Sequence, residues 1–186
     1  MNIVIDSGID QNEFMRIRYD YQFLPLSVII NEKDFLDQKE ISLEQVHEHM
    51  RQGILPKTSQ ISPQSLLDIL EESRKNREDV LYISIYSQFS GTFQVAHSLI
   101  NEYKTNHPEM NVELVDSLGG SGGGALLALQ AMEMAKQNVP FRTVVEQTRK
   151  NAKHIRYHFT LSDLNWLVKG GRLSRVAGAA GTALNI

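Results

Sequence analysis

Small hydroxyl side chains stand where this chain passes from strand-like into helix-like patterning. Thr58 and Ser59 come just before Ser62-Pro63, and Ser87, Ser90 and Thr92 follow the apolar run Val80 to Ile85. A strand, a small-residue turn and a helix in succession aim backbone N–H groups and hydroxyls at one spot beyond the strand's carboxyl end. The first N–H groups of a helix lack partners and the helix dipole is positive there, so the spot suits an anion. Two readings of these hydroxyls stand together. They converge on a carboxylate or phosphate, or they only close turns and cap helices, as Ser and Thr do widely.

Other chemistries are less well supplied. Gly120-Ser-Gly-Gly-Gly-Ala125 fits the G-x-G-x-x-G/A form between a strand and a helix, either for a nucleotide or for tight packing. The acidic residue expected about twenty positions on, after a further strand, has no convincing candidate. No G-x-x-x-x-G-K-[ST] is present. Asp6, Asp10, Asp116 and Asp163 stand at turns, where they can gather around Mg2+ or simply cap. His47 and His49 lie about 200° apart on a helix, the wrong arrangement for one ion. Ser90 has neither a G-x-S-x-G context nor a local base, so no catalytic residue and no metal is assigned. Arg172 and Arg175, after Gly170-Gly171, read either as solvated cations or as a docking point for a phosphate or an acidic partner.

The elements that must position these groups alternate. Strand patterns run over Asn2 to Ile5, Tyr21 to Ile30 with Pro25 at an edge or irregularity, Val80 to Ile85, Val112 to Val115 and Tyr157 to Leu161; Phe35 to Ile41 is a weak return after a turn at Asn31 to Asp34. One helix starts at Ser42, in a capping box with Gln45 and with Leu43, Val46 and Met50 as its stripe. Another starts at Ser62-Pro63 and buries Leu66, Ile69 and Leu70. A third carries Ala96, Leu99, Ile100 and Tyr103. The glycine turn opens a fourth that is apolar on most sides and so is expected to be well covered. Phe141, Val144, Val145 and Thr148 mark a fifth, and Ser162-Asp163 cap a short one through Leu164, Leu167 and Val168. The tail from Val176 shows no closing element. Alternation of this kind predicts an α/β fold with a largely parallel sheet, whose ligands sit beyond the strands' carboxyl ends.

Composition sets the outer bounds. The 186 residues carry a formal net charge of −3, which gives no electrostatic reason to bind nucleic acid or an anionic membrane. With no cysteine, disulfides and thiolate metal sites are excluded. No apolar stretch approaches the ~18 residues of a membrane span, and the first residues run directly into a strand pattern without a leader. The expectation is a soluble, cytoplasmic protein.

Five motifs in order carry a resemblance: Asp6-Ser7-Gly-Ile-Asp10, Thr58-Ser-Gln-Ile-Ser-Pro63, Ser90-Gly-Thr-Phe-Gln-Val-Ala96, Val115-Asp-Ser117 before the glycine turn, and Leu167-Val-Lys-Gly-Gly-Arg172. Together, over essentially the whole chain, they resemble the DegV family of bacterial fatty-acid-binding proteins. The resemblance implies a three-layer α/β domain over residues 1–155 and the beginning of an incomplete, C-terminally truncated second α/β domain over 156–186. Family chains continue past residue 186, and the remainder is expected to supply one wall of the lipid cavity and a histidine near the head group. The implied function is a lipid carrier, not an enzyme. It binds a long-chain fatty acid, with no other cofactor, and presents the carboxyl group to a separate ATP-dependent kinase that forms acyl phosphate. The resemblance assigns the carboxylate to Thr58 and Ser90, with Ser59, Gly91 and Thr92 beside them, and assigns kinase docking to Arg172. The competing reading is a small-molecule α/β enzyme that uses the Gly120–Gly124 turn for a nucleotide or phosphorylated metabolite.

Overall fold

The computed structural model describes residues 1–161, 163–177 and 181. The chain divides into two compact units, Met1–Ile155 and Arg156–Ile186.

Alternating burial builds the first unit. Strands β1 (Asn2–Asp6), β2 (Gln22–Leu24), β6 (Val80–Ser84) and β7 (Val112–Asp116) form a parallel sheet in the order β2-β1-β6-β7. Side chains in a strand point alternately to its two faces, so each central strand feeds two cores. Ile3, Ile5, Leu81 and Ile83 pack against helices α5 (Ser121–Lys136) and α6 (Phe141–Ala152). Val4, Val80 and Tyr82 face α3 (Pro63–Lys75) and α4 (Thr92–Asn106) through Leu66, Leu70, Ala96 and Ile100. Helices on both faces of a parallel sheet give the three-layer α/β fold expected from the alternation.

The expected strand from Tyr21 to Ile30 is two strands in two sheets. Pro25 has no N–H to continue a ladder, and the chain turns there from β2 into β3 (Leu26–Ile30). With β4 (Lys33–Leu36) and β5 (Lys57–Ile61), β3 makes a small antiparallel sheet in the order β4-β3-β5. Ile30 pairs with Lys33 across Asn31 and Glu32, whose φ values of 50° and 64° are those of a tight hairpin turn. Helix α2 (Leu43–Arg51) has the Ser42–Gln45 capping box but no buried residue, and Leu43 is exposed rather than part of a buried stripe. Helix α1 (Glu13–Arg18) has no counterpart in the sequence patterns above. Asn12 caps it and only Met15 is buried, too little for a periodic stripe. In α5, Leu126 remains half exposed, so that helix is less fully covered than its composition suggests.

In the second unit, α7 (Asn165–Lys169) begins after Asp163, whose carboxylate accepts the Asn165 N–H at 2.8 Å. Ser162, the other expected cap, and most of the tail after Val176 lie outside the described residues. Tyr157 to Leu161 is not a strand. A strand needs a neighbour for its N–H and C=O groups, no described strand lies in this unit, and Phe159 stands exposed.

Candidate functional site

In a parallel sheet all the carboxyl ends share one edge, so Asp6-Ser7, Ser84 to Ser90 and Asp116-Ser117 are neighbours there. The chain leaves β1 for β2 on one side and leaves β6 for β7 on the other. The switch point, where such folds bind ligands, therefore lies between the loops after β1 and β6. At its base the crevice is filled. A Cβ on Gly8 would stand 2.8 Å from the Ile85 Cβ and 2.9 Å from its Cγ1, so these loops touch only because residue 8 has no side chain. Beneath them Asp6 is fully buried and accepts the Gly8 N–H at 3.0 Å, the Ile85 N–H at 2.9 Å and the Tyr82 hydroxyl at 3.0 Å. Burial pushes the Asp6 carboxyl above its usual range, and these hydrogen bonds oppose that rise.

Several of the carboxylates and hydroxyls at the edge are engaged within the protein, closing their own turns or tying neighbouring loops together. Ser7 Oγ accepts the Leu26 N–H at 3.0 Å, and Ser117 donates to the Gly119 carbonyl at 2.8 Å. Asp116 accepts the Leu118 N–H at 2.9 Å and the Ser87 N–H at 3.3 Å. Asp10 accepts the Ser121 hydroxyl at 2.7 Å. Among the described residues no group of three His, Asp or Glu side chains is placed to hold a metal ion.

The glycine turn is used for packing. Gly120 lies 2.8 Å, measured from a Cβ position, from the Gly8 carbonyl oxygen, and Gly124 lies as near to Ile9 Cγ1. The Ser121 N–H donates to the Gly8 carbonyl at 2.7 Å. With the Asp10 carboxylate also at this helix start, a nucleotide phosphate would meet repulsion.

The turn before α4 is arranged differently. Ser90 is half buried, donates to Thr92 Oγ1 at 3.0 Å and accepts the Thr92 N–H at 3.2 Å, while Thr92 is fully buried. Gly91 is exposed at the helix start and supplies no side-chain cap. Beside it Phe89 is 46% exposed and packs edge-on against Tyr86 at 5.1 Å between centroids. Leu118 is also exposed, in the turn after β7.

Thr58 and Ser59 lie on the exposed part of β5, a strand rather than the turn the sequence implies. That strand runs beside the start of α4, and Gln60 spans the gap: a Cβ on Gly91 would overlap its amide nitrogen and stand 3.2 Å from its Cδ. The two hydroxyl-bearing segments are thus on one side of the unit, joined through Gln60. No local signal in the sequence marks Gln60, because strand register alone brings it to Gly91. In the second unit Arg172 is exposed and donates to the Gly170 carbonyl at 2.6 Å, beside Gly171 at φ 77°. Two clefts of about 300 and 400 Å3, lined by residues including Met1, Tyr19 and Lys136, and Arg77, Asp79 and Asn111, lie at the opposite, amino-terminal edge of the sheet.

With this geometry in place, a sequence model described as "uncharacterised protein, DegV family" matches residues 1–186. The chain belongs to the DegV family. A DegV domain-containing protein of Clostridium acetobutylicum is 29% identical over 187 residues, which cover 100% of this chain and 66% of the relative. A stearic-acid-binding protein from Eubacterium ventriosum superposes with a TM-score of 0.83 at 27% identity, over 97% of this chain and 63% of its own. The Fatty Acid Kinase (Fak) B3 protein of Streptococcus pneumoniae, loaded with linoleic acid, gives 0.79 at 25% identity, over 96% and 64%. This DegV chain spans just under two thirds of the relatives it matches. No helix among its described residues is long and apolar enough to cross a membrane.

Proposed function

We propose that this DegV chain supplies the head-group end of a fatty-acid carrier. Its residues 1–155 form the α/β domain that bears the carboxylate contacts, and 156–186 begin a second α/β domain. The observation that carries the reading is a likeness in fold, over nearly all of this chain, to a stearic-acid-binding protein and to a protein loaded with linoleic acid. Thr58 and Ser90, with Ser59, Gly91 and Thr92, surround the carboxyl group, and exposed Phe89 and Leu118 offer apolar surface beside it.

Magnitudes divide the roles. An acyl tail of about fifteen methylenes gains roughly 12 kcal/mol gross at ~0.8 each, whereas each hydrogen bond to a charged head adds ~1.5–3 kcal/mol net. The tail therefore holds the ligand and the hydroxyls orient it. The protein itself carries out no chemistry. An ATP-dependent kinase subunit, docking through Arg172, transfers phosphate to the presented carboxyl; the kinase named with the Streptococcus pneumoniae relative supports this arrangement.

Organic extraction and native mass spectrometry of the purified chain test the reading. A co-purifying long-chain fatty acid, turned over to acyl phosphate when a fatty acid kinase subunit and ATP are added, is the expected result. A bound nucleotide in its place would overturn it.

A further inference from the structure

We propose that Gln60 is the specificity residue of this site, donating its amide N–H to the ionised head group and so selecting an acid over a neutral lipid. The inference rests on the fatty-acid reading and adds a residue to it.

Three observations place Gln60 in this role. Val28 pairs with Thr58 and Leu26 with Ile61, so three steps along β5 oppose two along β3. The extra residue falls at 59–60. Bulges of this kind re-aim a side chain, and here the Gln60 amide comes to rest against Gly91. Only a residue without a Cβ leaves room for it. Secondly, the carboxamide makes no hydrogen bond to any described residue, although it carries two N–H donors.

Thirdly, the neighbouring hydroxyl is already committed. The Ser90 and Thr92 hydroxyls are hydrogen-bonded to one another at 3.0 Å, so an anion that recruits Ser90 must first break that bond. An arriving anion therefore meets, in Gln60, a donor that costs no internal bond to recruit. A carboxylate gains a charge-assisted hydrogen bond from it, and a neutral alcohol gains much less.

The test compares binding of oleic acid and oleyl alcohol to the wild-type 186-residue chain, Gln60→Ala and Gly91→Ala. Gln60 is exposed, so its truncation leaves the core intact; Gly91→Ala keeps the amide but pushes it aside. Both variants are expected to bind oleic acid about tenfold more weakly, with oleyl alcohol changed less than about twofold. Equal losses for acid and alcohol would reduce Gln60 to a packing role and overturn the proposal, as would no loss for either. Failure of the wild-type chain to bind oleic acid would instead overturn the fatty-acid reading, and this assignment with it.

Discussion

Asp6 accepts the Tyr82 hydroxyl at 3.0 Å across two paired strands, with both side chains out of solvent. The pair anchors the loops after β1 and β6, because the same carboxylate also holds the Ile85 and Gly8 N–H groups.

Burial raises the Asp6 carboxyl above its value of 3.8 in the unfolded chain, so the folded state holds the proton more tightly. Its contribution to stability is complete below that value and is lost as pH rises through the folded one. Asp6→Asn should remove this component of the pH dependence. It should also cost about 1–3 kcal/mol at low pH, since an amide NH2 turned toward the Ile85 or Gly8 N–H leaves donors unsatisfied. Urea melts from acid to neutral pH check both effects.

Glu71 behaves in the opposite sense. Hydrogen bonds from Arg74 at 2.7 and 2.9 Å and from Tyr103 at 3.0 Å hold it down to about 2. That stabilisation is present above the unfolded value of 4.5 and is lost as pH falls toward 2. Glu71→Gln should lower the melting temperature at neutral pH, and the two melting curves should converge in strong acid.

Gly8→Ala is expected to cost ~1–3 kcal/mol, because a new Cβ meets the branched carbon of Ile85. Gly122→Ala, with nothing within 4 Å of its Cβ position, should stabilise α5 by ~0.5–1 kcal/mol. Chemical denaturation of the two variants side by side separates packing from any ligand role for the glycine turn.

Ser90→Ala should weaken fatty-acid affinity by about tenfold or less, since the tail supplies most of the binding energy. It should reduce acyl-phosphate formation by a larger factor, because the carboxyl is no longer held in place. A large affinity loss with unchanged turnover of bound lipid would contradict the proposed division of roles.

The strand and helix patterns, the caps at Ser42 and Ser62, and the gathering of small polar residues at one sheet edge are legible in the chain because they are local. Periodicity reports burial, and a cap needs only its own next three residues. The five motifs were also enough for the DegV family. Pro25 marks an irregularity in the sequence, but that it divides two sheets depends on strand pairing. The Tyr157 to Leu161 run has β-like composition, but no strand is described in that unit, so composition alone points the wrong way there.

Of the candidate site, the sequence by itself determined which hydroxyls and glycines are present and that they fall where helices begin. Only the tertiary structure decided which of them turn inward to one another: Ser90 to Thr92, Asp10 to Ser121, Gly8 to Ile85, and Gln60 across to Gly91. The reason is physical. A hydrogen-bond partner many residues away is fixed by sheet order and register, and a single bulge in β5 changes which side chain arrives.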